Sequence, residues 1–270
     1  MIQKLSVISE SFCIFTPNKN IIMMKSIINI LLVMIFVNLG IKAQDSLSIM
    51  TYNIRVGYGD KGYVMDLNRA ADVINKNNPD IVLLQELDSV NGRNKVYQAQ
   101  ELGKMCNMNY LFAPAIYFKG GKYGIGMLSK EKPLHHKYVS LPCKSEPRVL
   151  LIVEFEKYFV CNTHLSLHAD NRMASIPIIL ENLNELKGKP IFIGGDWNDT
   201  PGMNFMKEMT NNFEILSDTS VFTFPAGEPN RCLDYIALKK GENKVKVIKK
   251  EVLNEPTSSD HRPVIVKLKF

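Results

Sequence analysis

Short apolar runs that end on, or begin from, a polar residue recur along this chain. Residues 47–54 alternate well enough to predict a first strand, with Asn53 near its end. A glycine-rich loop, residues 57–62, follows. Asp66 then reads as the cap of a helix that presents Leu67, Ala70, Val73 and Ile74 on one face, and Asn77-Asn78-Pro79 stops it. Residues 81–84 predict a buried strand with Gln85 and Glu86 at its end, and residues 95–106 a helix with Val96, Ala99 and Leu102 inward. A Gly-rich segment, residues 119–124, leads into a strand over 125–129. Residues 149–155 and 158–161 form a hairpin around Glu156-Lys157, and Asn162-Thr163-His164 ends its second strand.

Residues 172–186 predict a helix in which Pro177 should bend or restart the chain. Residues 189–193 are a buried strand that runs into Gly194-Gly195-Asp196-Trp197-Asn198-Asp199. There two glycines permit close backbone approach, and Asp196 and Asn198, two apart, point the same way in an extended segment. Thr200-Pro201 resembles a helix start. A Pro/Gly loop after Phe224 leads to a strand over 233–238, and Ser259-Asp260-His261-Arg262-Pro263 precedes a last strand to Phe270. There is no internal repeat and no linker.

The first 43 residues read differently. An apolar run from Ile27 to Val37 follows Met24-Lys25, and Ala43 offers a small residue before Gln44. This is the layout of an upstream segment plus secretory signal peptide, too short for a stable membrane span. The expectation is an exported protein, periplasmic or extracellular, with one domain over residues 44–270. That part carries 29 basic and 26 acidic residues, too mild an excess to argue for nucleic acid. Its four cysteines, Cys106, Cys143, Cys161 and Cys232, fit no zinc spacing and read as ordinary thiols.

Charge matters more in its placement. Asn53, Glu86, His164 and Asp196 sit at the ends of apolar runs, and Asp234 and Asp260-His261 at the starts of others. In a sheet with antiparallel neighbours, one strand's end lies beside the next strand's start, so all six positions can share one edge. Glu86, with Asn53 and Asp260, offers hard oxygen ligands suited to Mg²⁺, with Mn²⁺ as the alternative. Two histidines with carboxylates near them supply acid–base groups, and Asp234, on another strand, is a better orienter of His261 than its neighbour Asp260. Together these suit attack of water on phosphorus.

The segments Thr51-Tyr52-Asn53-Ile54-Arg55, Leu84-Gln85-Glu86, Asn162-Thr163-His164-Leu165, Gly195-Asp196-Trp197-Asn198, Leu233-Asp234-Tyr235-Ile236 and Ser259-Asp260-His261-Arg262-Pro263 occur in the order of the endonuclease/exonuclease/phosphatase superfamily, which the chain resembles from Ser46 to Phe270. The resemblance implies a four-layer α/β sandwich of two packed mixed sheets flanked by helices, as in deoxyribonuclease I. It implies metal-site roles for Asn53, Glu86 and Asp260. Asp196 would align the attacking water, Asn198 would hold a phosphate oxygen, and His164 and the His261–Asp234 pair would move or donate protons. Arg148 resembles a phosphate-contacting arginine of the deoxyribonuclease branch. The His at position 164 disfavours the apurinic-site endonuclease branch. The expected substrate is a small or lipid-linked phosphoester. A secreted nuclease is the alternative, and a catalytically inactive binding module for phosphate ligands is the rival of another class. His135, His136 and His168 match no motif and read as surface residues.

Overall fold

In the computed structural model the described residues are 46–62, 64–241 and 245–270. The signal-peptide reading of residues 1–43 lies outside them. The chain begins with β1 (Ser46–Asn53), a short helical turn (Arg55–Gly57), α1 (Asn68–Asn77), β2 (Ile81–Ser89) and α2 (Gln98–Cys106). It continues through β3 (Asn109–Phe118), β4 (Gly121–Ser129), β5 (His135–Leu141), β6 (Arg148–Glu154) and β7 (Phe159–His164). Then come α3 (Ala169–Asn184), β8 (Ile191–Asp196), α4 (Asn204–Asn212), β9 (Phe213–Ile215), β10 (Asp234–Lys239), β11 (Lys246–Val252) and β12 (Val264–Lys269). The strands form two six-stranded mixed sheets, ordered β11-β12-β1-β2-β4-β3 and β5-β6-β7-β8-β10-β9.

Each sheet has one parallel pair at its centre, β1 with β2 and β7 with β8, flanked by antiparallel neighbours. The crossovers between the parallel partners carry α1 and α3, which cover the outer faces. Alternation does the rest. Ile49, Leu83, Leu151, Val160, Phe192, Ile236 and Val266 fill the space between the sheets. Met50, Tyr52, Val82 and Leu84 point the other way, onto α1 and α2 through Ala70, Ile74 and Leu102. Cys161 and Ile193 of the second sheet, with Trp197 just past β8, meet Ile176, Ile179, Phe205 and Met209 of α3 and α4. The result is the expected four-layer sandwich. Truncating a fully buried ring such as Phe192 would cost about 3–5 kcal/mol.

Several boundaries differ from the sequence reading. The second strand does not end at Gln85-Glu86 but runs on to Ser89, with a bulge between Leu84 and Leu87 against β4. The first helix begins at Asn68, and Asp66 accepts the Asn68 N–H at 2.9 Å from outside it. The next begins at Gln98 because the Asn94 side chain accepts the Val96 N–H at 2.9 Å, a local turn that competes with helix. Helix α3 is one element through Pro177; the carbonyl that the proline leaves without a donor belongs to Met173, on an exposed face. Thr200-Pro201 starts a turn through Gly202, and the helix begins only at Asn204. The four cysteines are unpaired, two of them buried. His135, His136 and His168 are exposed.

Candidate active site

The register sets the site. His164, the last residue of β7, pairs with Asp196, the last of β8, and Asp196 pairs with Asp234, the first of β10. Three chemical groups therefore form one row across the second sheet. Gly195 makes the row feasible: its φ is +140°, and a Cβ there would lie 1.8 Å from the Thr163 carbonyl oxygen. In the first sheet, Asn53 ends β1 and pairs with Gln85 of β2. Gln85 and Glu86 together face the single residue Ile125, and Glu86 takes φ +59°. The bulge turns the Glu86 carboxylate out of the strand's alternation and into the cavity.

The two sheets meet side chain to side chain. Asn53 Nδ2 donates to Glu86 Oε1 at 3.0 Å and to Asp196 Oδ2 at 3.1 Å, while its Oδ1 accepts the Arg55 N–H. In this arrangement Asn53 holds two carboxylates in place; to offer oxygen to a cation its amide would have to turn over. Beneath it, Gln85 Nε2 donates to Asn162 Oδ1 at 2.8 Å, and Asn162 Nδ2 donates to the Leu84 and Gly126 carbonyls, a buried polar bridge between the sheets. Ser259 Oγ donates to the Asn53 carbonyl at 2.7 Å and ties the segment before β12 to the end of β1.

Asp196 is the hub, 1% exposed, with His164 Nε2 at 3.4 Å and His261 Nε2 at 3.6 Å from its Oδ2. Its Oδ1 accepts the N–H of Asn198, which adopts φ +52°. Asn198 Nδ2 donates to the Leu165 carbonyl at 3.0 Å. His261 Nδ1 lies 2.9 Å from Asp234 Oδ2, and Phe224 packs on the imidazole with ring centroids 4.7 Å apart. Arg148 Nη1 donates to His164 Nδ1 at 3.2 Å and to Glu146 Oε1 at 2.5 Å. Asp260 stands at the wetter side, 3.5 Å from Arg55 Nε. These groups surround a cavity of about 310 Å³.

Their proton affinities follow from this placement. Burial pushes Asp196 up to about 7, against the charge of His261 and with the help of Asp234. Burial alone would lower His261, but Asp234, Asp196 and the hydrogen bond to Asp234 outweigh it and raise it to about 10. Burial and the Arg148 guanidinium hold His164 well below the ordinary range. Burial raises Glu86, against the Asn53 amide and reinforced by Asp260. The structure thus brings together Asn53, Glu86, Arg148, His164, Asp196, Asn198, Asp234, Asp260 and His261. Gln85, Asn162, Glu146 and Ser259 escaped the site reading. Gln85 and Asn162 stood beside Glu86 and His164 in the quoted segments, which is the signal that marked them.

A cation fits this donor set. The nearby Asp260 makes the charge on Glu86 costlier, and among the described residues no cysteine lines the cavity. Asp196, Asp234 and His261 also bring ligand atoms within 4.8 Å of one another and could hold a metal ion. In that trio Asp234 Oδ2 is spent on His261, although its buried Oδ1 has no hydrogen-bond partner among the described residues.

The fold and the buried Asp/His cluster define a phosphoester hydrolase. Residues 50–261 match the Endonuclease/Exonuclease/phosphatase family, and the chain belongs to it. No curated protein matches the sequence. Similar solved structures include an endonuclease/exonuclease/phosphatase from Beutenbergia cavernae DSM 12333, at 20% identity and TM-score 0.68, covering 83% of this chain and 72% of that one. A mannosyl-6-phosphatase of Bacteroides thetaiotaomicron VPI-5482 aligns at 18% identity and TM-score 0.69, covering 83% of this chain and 100% of that one. The human Nocturnin catalytic domain with bound sulfate aligns at 18% identity and TM-score 0.64, covering 83% and 94%. These likenesses establish the fold. Among the described residues no helix is long and apolar enough to cross a membrane.

Proposed function

We propose that the protein is an exported, Mg²⁺-dependent phosphoesterase acting on a small or lipid-linked phosphoester. The observation that carries this reading is Asp196, a buried carboxylate poised near neutral pH between two histidines of opposite character. His261, kept protonated by Asp234, supplies a positive donor to a phosphate oxygen. His164 differs. Arg148 cannot give up its proton, so His164 Nδ1 must accept, and its Nε2 carries the hydrogen. His164 is then a neutral donor aimed into the same space. Asp196 takes the proton of the attacking water, and the second amide hydrogen of Asn198 is left for a phosphate oxygen. Glu86 and Asp260 would hold Mg²⁺, which when bound neutralises charge on the phosphoryl oxygens.

The small-ester preference rests on charge. The excess in residues 44–270 is slight, and among the described residues of the Lys-rich tract, 239–241 and 245–250, none lines the cavity. A solved structure of the same fold is a mannosyl-6-phosphatase, which is consistent with a sugar phosphate. The test offers p-nitrophenyl phosphate, sugar phosphates, sphingomyelin, RNA and plasmid DNA under one Mg²⁺ condition. Turnover of a small ester is expected. Plasmid nicking that falls steeply with salt, without turnover of small esters, would make it a nuclease; binding without any turnover would make it a phosphate-ligand module. Export predicts a mature N-terminus near Gln44, read by mass spectrometry of the native protein; an intact Met1 or Met24 in a cytoplasmic fraction would refute it.

A further inference from the structure

The cations around the cavity are nearly all committed. Arg148 is paired with Glu146 at 2.5 Å, His261 with Asp234 at 2.9 Å, and Arg55, just beside the cavity, with Asp260 at 3.5 Å. Arg231 differs. It lines the same cavity, is exposed, and has no carboxylate within ion-pair distance among the described residues. It is nevertheless well placed. Its backbone N–H donates to the Phe224 carbonyl at 2.9 Å, and its own carbonyl accepts the Phe224 N–H at 3.0 Å, which closes a small loop over residues 225–230. Its guanidinium lies over the Phe224 ring, 4.6 Å from the centroid. That ring packs on His261. The side chain is thus oriented by a cation–π contact while its hydrogen-bonding edge remains available.

A guanidinium fork held in this way recognises a planar carboxylate or a phosphate by paired hydrogen bonds. The reacting phosphoryl group already has donors in His164, His261 and Asn198. We infer that Arg231 selects substrates carrying a second acidic group, a carboxylate or phosphate beyond the phosphoester that is cleaved. This inference rests on the phosphoesterase reading. It makes Arg231 a specificity residue at the mouth of the site, and it places the second anion on the side of Phe224 and His261.

The experiment measures binding by calorimetry, with the full chain and with divalent ions chelated so that no turnover intrudes. The probes share one skeleton: glucose 6-phosphate, 6-phosphogluconate with an added carboxylate, and glucose 1,6-bisphosphate with an added phosphate. The wild type should bind one or both of the probes with a second acidic group about tenfold more tightly than glucose 6-phosphate. Arg231→Gln should bring that ratio close to one, and Arg231→Lys, which keeps charge without the fork, should restore part of it. A preference for one of these two probes alone identifies carboxylate or phosphate as the selected group. A wild type without preference, an Arg231→Gln variant with an unchanged ratio, or an equal loss on all three probes would overturn the inference. The phosphoesterase reading fails separately, if Mg²⁺ brings no release of p-nitrophenol from p-nitrophenyl phosphate.

Discussion

The two sheets bring carboxylates to one cavity and treat them differently. On the first sheet, Glu86 is half-buried at a bulge and Asp260 is 25% exposed. Glu86 is held by the Asn53 amide, and Asp260 by the Ser259 hydroxyl at 3.3 Å and the half-exposed Arg55 at 3.5 Å. On the second, Asp196 and Asp234 are each 1% exposed and lie against imidazoles. Both sheets use the same scaffold, a parallel pair between antiparallel neighbours, so the topology does not set the difference. Water and partners do. Carboxylates open to the cavity, with no hydrogen bond to a histidine among the described residues, suit a hard cation that keeps part of its hydration. Carboxylates sealed against histidines set where protons sit.

The comparison breaks most visibly on the dry side. Asp196→Asn should reduce kcat by about 10³-fold, since it removes the proton acceptor, and circular dichroism should show the fold retained. Asp234→Asn should follow with a loss of about 10²-fold at neutral pH and a changed pH profile. In the wild type, activity should rise as Asp196 deprotonates near pH 7 and fall as His261 loses its proton near pH 10. Removing the Asp234 charge lowers the affinity of His261 for its proton, so the alkaline limb must move down in pH. An unmoved limb would separate Asp234 from His261. Arg148→Gln should cost about tenfold in kcat, because glutamine can accept as well as donate and no longer fixes the His164 tautomer. The smallest effect on chemistry belongs to the bridge below the site. Gln85→Leu should lower stability by about 1–3 kcal/mol in urea unfolding, by leaving Asn162 Oδ1 without its donor, with a loss in kcat of less than tenfold.

How much of this could be read from residue order depends on position in the sheets. The central strands were legible because both of their faces are buried, so β1, β2, β7, β8 and β10 appear as apolar runs bounded by polar residues. The four strands that were not recognised, β3, β5, β9 and β11, are the four edges of the two sheets. β5 begins His135-His136-Lys137 and β11 carries Lys246, Lys249 and Lys250. Such residues blunt an open edge against association and erase the alternation that would announce a strand. Part of the candidate site was legible by the same logic, since Asn53, His164, Asp196 and Asp234 stand at the ends or starts of central strands. Glu86 illustrates the limit. Its identity marked it, but its orientation depends on a bulge at φ +59° that no periodicity encodes. The Gln85–Asn162 bridge was hidden for another reason: its partners lie 77 positions apart and meet only when the sheets pack.

The division of labour between the sheets is tested most directly by titrating free Mg²⁺ against kcat for Glu86→Gln and Asp196→Asn side by side. Loss of a cation ligand weakens the site for the ion, so Glu86→Gln should recover a substantial share of wild-type activity when Mg²⁺ is raised about 10- to 100-fold. Loss of the proton acceptor leaves the ion in place, so Asp196→Asn should saturate at the wild-type Mg²⁺ concentration and stay slow. Parallel recovery of both variants, or recovery of Asp196→Asn alone, would contradict the assignment of cation binding to the first sheet and proton transfer to the second.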